Sequence, residues 1–86
     1  MSIDAFGQAE RFVTSGDYGS AKSEYERIIG SDSDNSAAWY GLGVVNHAVG
    51  DVEAAIVAFE RAFLINRFHA PTAANLAFLF SQRDSD

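Results

Sequence analysis

The chain has 86 residues, no cysteine and a formal net charge of −6, with six basic residues standing singly along it. That length allows one domain, and the absence of cysteine removes disulfide scaffolds and thiolate metal sites. Without a Lys/Arg cluster to neutralise phosphates, neither nucleic acid nor an anionic membrane surface is expected as a partner. The opening "MSIDAFGQAERF" lacks the basic and apolar regions of a signal peptide. No stretch approaches the roughly 18 apolar residues of a membrane helix. The expected location is therefore the cytoplasm, without membrane insertion.

Abundant Ala, Glu, Phe and Leu and a single proline point to helix throughout. A first helix is expected over about 2–15. It ends at "GD", Gly16–Asp17, where glycine suits a left-handed cap and aspartate the N-cap of the next helix. The second helix, about 18–30, has apolar residues at Tyr18, Ala21, Tyr25 and Ile28, the spacing of one helical face. "SDSDNS", rich in turn and capping residues, leads to a third helix over about 36–49. A second "GD", Gly50–Asp51, precedes a fourth over about 52–65, with its apolar face at Val52, Ala55, Ile56, Phe59 and Phe63. "NRFHAP" places Pro71 in the first turn of a fifth helix, about 70–82, where its missing N–H is harmless.

The chain repeats itself with a period of 34 residues. "TSGDYGSAKSEYERIIG" from Thr14 aligns with "AVGDVEAAIVAFERAFL" from Ala48, pairing Gly16/Gly50, Asp17/Asp51, Ala21/Ala55 and Tyr25/Phe59. Ala9, Gly43 and Ala77 fall at one position, and so do Phe12, Asn46 and Phe80. The expected architecture is all-α: one domain over 1–86, made of repeats at 2–35 and 36–69 and a capping helix or partial repeat at 70–83. Met1 and the polar "SQRDSD" tail suggest a complete chain rather than a piece of a longer array.

The middle unit carries "W-x-x-L-G" at Trp39, Leu42 and Gly43, then "A-x-x-x-F-x-x-A" at Ala55, Phe59 and Ala62. This signature resembles the tetratricopeptide repeat. The first unit is a weaker match, with Ala5 in place of the large aromatic, and the third is only a first helix with Ala73, Leu76 and Ala77. Asn46 stands where an aromatic is usual, and so either loosens the second unit or faces a polar partner. Ser33 and Arg67 stand in place of the usual proline. The resemblance implies a right-handed superhelix of antiparallel helix pairs, five helices in all. Gly43 would sit where the helices of a hairpin cross, with Trp39 filling the space beside it. Gly41 is not accounted for in this way; it either admits a ligand backbone closely or is drift.

Proteins of this kind are non-catalytic scaffolds or adaptors that bind a peptide or helix of a partner in a concave groove. Carried onto this sequence, the groove comprises Ile3, Phe6, Glu10 and Val13, then Ala37, Tyr40, Val44 and His47, then Pro71, Ala74, Phe78 and Ser81. The surface is apolar with one acid, which suits an apolar or basic segment. One subfamily clamps the acidic C-terminal tails of heat-shock chaperones with Lys, Asn and Arg. The matching positions here are Phe6, Glu10, Gly41, Pro71 and Asn75, so no such tail is expected to bind. The last helix has apolar residues around most of its circumference. Leu76, Leu79 and Phe80 are therefore candidate homodimer contacts, and the alternative function is a structural protein that self-assembles through the groove and last helix.

Chemical motifs are weak. "GDYGSAKS" lacks the glycine before Lys22 that a phosphate loop has, "GLGVVN" ends in Asn46 where a dinucleotide fingerprint needs glycine, and "SDSDNS" lacks the glycine and distal Glu of a calcium loop. His47 and His69 have no second ligand one helical turn away, and both read as surface histidines. No catalytic residue, metal site or cofactor is expected.

Overall fold

The computed structural model describes residues 4–85. They form five α-helices: α1 (Ala5–Ser15), α2 (Tyr18–Ser31), α3 (Ser36–Ala48), α4 (Val52–Ile65) and α5 (Ala70–Asp84). The expected start of the first helix lies partly outside the described residues. α5 runs two residues past its expected end.

Local chemistry explains these bounds. Asp4, Asp17, Asn35 and Asp51 each accept a hydrogen bond from the backbone N–H three residues on, at Gly7, Ser20, Ala38 and Ala54. Each bond satisfies a donor that the first helical turn leaves free. α5 begins at His69 without a side-chain cap and uses Pro71 instead. Gly16 and Gly50, at φ 82° and 85°, are the positive-φ residues among those described. In both turns the chain folds back onto the preceding helix: Asp17 N–H donates to Phe12 O at 2.8 Å, and Asp51 N–H to Asn46 O at 2.9 Å. These are Schellman-type caps, and they build α1–α2 and α3–α4 as equivalent hairpins.

Each helix packs on its neighbours in the chain, and α1 also reaches α3. The stack is elongated, 46 × 26 × 19 Å, as expected when each unit contacts only the next. One cluster of the core joins α1, α2 and α3 through Ala9, Ala21, Tyr25, Ala38, Leu42 and Val45, with Ala58 of α4. A second joins α4 to α5 through Ala55, Ile56, Phe59, Leu76 and Leu79.

Both glycines of α3 make room for rings. A Cβ at Gly43 would stand 2.7 Å from the Phe59 ring of its own hairpin. A Cβ at Gly41 would clash with the edge of the Tyr25 ring of the preceding hairpin. Gly41 is therefore neither drift nor a seat for a ligand backbone: a neighbouring side chain already occupies the space. Glycine costs roughly 1 kcal/mol against alanine in a helix interior, and here that cost is offset by the burial of two aromatic side chains. Trp39 is only half-buried, packed against the first cluster. Its indole Nε1–H donates to Ser33 O at 2.9 Å, and Arg61 lies over its ring at 5.4 Å. Trp39 thus pins the α2–α3 linker, where a proline is usual, as well as covering the helix crossing.

Asn46 is 3% exposed and its Oδ1 has no hydrogen-bond partner. It does not face a polar partner at the surface. An unpaired buried polar group costs about 1–3 kcal/mol, so the second hairpin carries an internal penalty that Phe12 and Phe80 spare the flanking units.

Two outcomes follow from these contacts. Gly41→Ala should lower stability by about 1–3 kcal/mol through overpacking, despite alanine's better helix propensity; urea unfolding of a double-mutant cycle with Tyr25→Leu should show the two sites coupled. Asn46→Leu should raise stability by about 1 kcal/mol or more, seen as an upward shift of the thermal midpoint by about 4–8 °C per kcal/mol.

Candidate functional site

Helical periodicity puts Phe6, Glu10 and Val13 on one face of α1, and the 34-residue repeat puts Ala37, Tyr40 and Val44 on the matching face of α3. The two faces meet around a hollow of about 320 Å³, which also exposes Thr14 and edges of Tyr25 and Gly41. A second hollow of about 270 Å³ continues from it toward the start of α5. It shares Phe6, Ala37 and Tyr40 with the first and adds Ser36, Ala62, Asn66, His69 and Thr72. Together they make one groove across α1, α3 and the α4–α5 linker.

Tyr40 is the best-held side chain in the groove. Its ring lies 5.5 Å from Phe59 and edge-on to His69 at 4.9 Å. Its hydroxyl accepts from Asn75 Nδ2 at 3.4 Å, and Asn75 is held in turn by Pro71 O at 2.9 Å. His69 Nδ1 and Thr72 Oγ1 are 2.7 Å apart. A ring fixed on several sides presents its free edge at little entropic cost, which favours a hot-spot role.

Glu10 is the one carboxylate among the lining residues, and no Lys or Arg lines either hollow. Beneath Glu10, Tyr25 is buried, its ring edge-on to Phe6 at 5.8 Å. Burial pushes the Tyr25 hydroxyl above its ordinary value of 10.0, and the negative charge of Glu10 adds to the shift.

The structure brings six of the expected groove residues, Phe6, Glu10, Val13, Ala37, Tyr40 and Val44, to one hollow. His47 and Phe78 pair with each other instead, ring centroids 5.9 Å apart, beyond the hollow. Ala74 is exposed on α5 and lines neither hollow, and Ile3 lies outside the described residues. The reading of His47 and His69 as surface residues is corrected: both are half-buried, His47 against Phe78 and His69 in the groove wall. The one sequence signal for His69 was Thr72, three residues on, within reach of an uncapped helix start. Of the proposed dimer contacts, Leu79 is fully buried (0% exposed) and Leu76 nearly so, both packed on α4; Phe80 is half-buried. Leu79 cannot meet a second copy without leaving its own core. The apolar circumference of α5 is real in sequence, but α4 covers one side of it and Phe78, 56% exposed, stands on another.

Among the described residues no three His, Asp or Glu side chains gather as metal ligands. Among the same residues no helix is long and apolar enough to cross a membrane.

Two capped hairpins of equal period and a further helix, stacked around a groove, define an α-helical repeat protein. The sequence profile of the tetratricopeptide repeat matches residues 6–74, and the chain belongs to that family. No curated protein matches the sequence closely enough to count as a relative. Among solved structures, the first TPR of Spaghetti (RPAP3), bound to the HSP90 peptide SRMEEVD, superposes with a TM-score of 0.88 at 16% identity. The match covers 95% of this chain, which spans 64% of that one. At that identity the likeness is one of fold.

The raised Tyr25 hydroxyl has a consequence for alkaline stability. The folded chain keeps its proton at pH values where the unfolded chain has lost it. Stability should therefore be at its full value below pH 10 and fall as pH rises beyond it. Urea midpoints measured across that range should fall less steeply for Tyr25→Phe.

Proposed function

We propose that this protein is a non-catalytic interaction module whose groove binds a peptide or helical segment of a partner protein, apolar in its centre and basic at one flank. The observation that carries this reading is the hollow between α1 and α3: apolar walls from Phe6, Val13, Tyr40 and Val44, with Glu10 as its one charge. An apolar concave site with few polar groups is the usual form of a binding pocket. Burying apolar contacts there gives affinity, and the carboxylate selects against acidic segments through like-charge repulsion.

Family membership supports the general role, and the Spaghetti domain holds a peptide in the same fold. The chemistry of that peptide does not carry over. SRMEEVD is acidic, and the groove here offers Glu10 and no lining cation.

Random peptides displayed on phage and selected on the whole chain should be enriched in apolar and basic residues. Ala37 is exposed and lines both hollows, so Ala37→Glu should weaken the selected peptides about tenfold or more without unfolding the chain. Glu10→Lys should reverse the basic preference. SRMEEVD should show no saturable binding by calorimetry up to about 1 mM. Acidic selected peptides, or peptides indifferent to Ala37→Glu, would contradict the proposal.

A further inference from the structure

The groove is apolar in its middle, and its two ends differ. Toward α1 it carries Glu10. Toward α5 the hollow of about 270 Å³ carries Ser36, Asn66, His69 and Thr72, and among the described residues no carboxylate, Lys or Arg lines it. Phe6, Ala37 and Tyr40 belong to both hollows. A ligand residue seated on them has Glu10 on one side and these polar groups on the other.

Hydrogen bonds within the fold decide what each polar group has left for an occupant. Phe68 N–H donates to Asn66 Oδ1 at 3.2 Å. A backbone N–H must face the oxygen of the amide, so what Asn66 has left is Nδ2 and its two protons. Thr72 is buried, and its Oγ1 lies 2.7 Å from His69 Nδ1. A buried hydroxyl proton without an acceptor is costly, and the Nδ1 lone pair of a neutral imidazole provides one. His69 then carries its proton on Nε2 and, like Asn66, offers a donor. Thr72 and the Tyr40 ring, 4.9 Å away, hold the imidazole from two sides, so little rotamer freedom is lost when it binds. The helix starts add less. Ala38 N–H donates to Asn35 Oδ1, Pro71 has no N–H, and Thr72 N–H donates to His69 O. The α5 end of the groove is therefore rich in side-chain donors and has neither Lys nor Arg.

We propose that this end is a subsite for an uncharged amide side chain, Asn or Gln, of the bound segment, read by Asn66 and His69. The inference rests on the groove as a peptide site and gives its ligand an order: a basic residue and an amide on opposite sides of an apolar one. The amide oxygen accepts from Asn66 Nδ2–H and His69 Nε2–H, and the amide N–H donates to the Ser36 hydroxyl. A carboxylate could accept the same bonds. It would lose its hydration with no lining cation to replace it, in a chain of net charge −6. An apolar side chain would leave the donors unpaired.

The probe is a random peptide library displayed on phage and selected on the full chain. Asn or Gln is expected to be enriched on the side of the apolar residue opposite Lys or Arg. Replacing that amide by Leu or Met in a synthetic selected peptide should weaken binding about tenfold or more by calorimetry. Asn66→Asp keeps the oxygen that Phe68 N–H needs and exchanges the donor for a charged acceptor. Asn66 is exposed, so the helical circular dichroism should not change. A library selected on Asn66→Asp should turn from Asn or Gln to Lys or Arg at that position, a reversal that a merely structural role would not produce. His69→Phe is the second variant: it keeps a ring against Tyr40, and should shrink the loss caused by replacing the amide. Selected peptides weakened by Ala37→Glu but without the amide preference would overturn this inference and leave the groove standing, as would a preference indifferent to both Asn66→Asp and His69→Phe. Enrichment of Asp or Glu in place of the amide would overturn it too. Peptides indifferent to Ala37→Glu would sink the groove reading and this one together.

Discussion

An aromatic ring seated on a residue without a side chain holds this stack together. Phe59 rests on Gly43 inside the second hairpin, and Tyr25 reaches from the first hairpin onto Gly41. The two glycines lie on the same helix, so α3 is clamped from both sides by rings belonging to α2 and α4. Large flat side chains bring most of the burial per residue in a chain too small for an extensive core. They can approach so closely only where the helix opposite offers bare backbone. The position 34 residues after Gly41 is Asn75, whose side chain donates to Pro71 O and Tyr40 Oη instead of making room for a ring.

The groove depends on this clamp. Tyr25 is both the packing wedge beneath α3 and part of the groove floor, in edge contact with Phe6. Phe59 supports Tyr40 from below, while His69 and Asn75 hold it from α5 and the linker before it. A ligand would therefore meet a surface already in place, so little ordering entropy would be lost on binding. Glu10 at the rim links that surface to the alkaline titration of the core, since its charge acts on the same tyrosine that sets the spacing of α1 and α3.

The sequence makes the helices legible because their punctuation is local. Each "GD" turn places a left-handed glycine and a capping aspartate within two residues, and both turns form where they are expected. The α1 and α3 rows of the groove are legible for a related reason: a fixed period carries a face from one unit to the next. Legibility fails where a side chain's environment is set by a distant partner. Gly41 is explained by a tyrosine sixteen positions earlier on another helix. Leu79 looks exposed on a terminal helix until α4 covers it. His69 lies in a linker, outside any periodic face, and only the fold brings its ring to Tyr40. Asn46 is the converse case: its mismatch with Phe12 and Phe80 is visible in sequence, but that its Oδ1 goes unpaired is not.

The same periodicity that stabilises a helical stack leaves an apolar face of α5 uncovered among the described residues. α3 carries two apolar faces, one packed on the preceding hairpin and one on its own second helix, and the repeat carries both onto α5. In α5 the first face is satisfied by Ile56 and Phe59 of α4. The second, with Ala77 at the position of Gly43, is open. In a solenoid such a face is normally closed by a polar terminal repeat, and α5 brings no polar side chain to this one. Arg83 gives it partial cover: its guanidinium lies over Phe80 at 5.0 Å and is 3.6 Å from Glu53 of α4. A solvent-exposed pair of this kind contributes little, so the cover it gives this face is light.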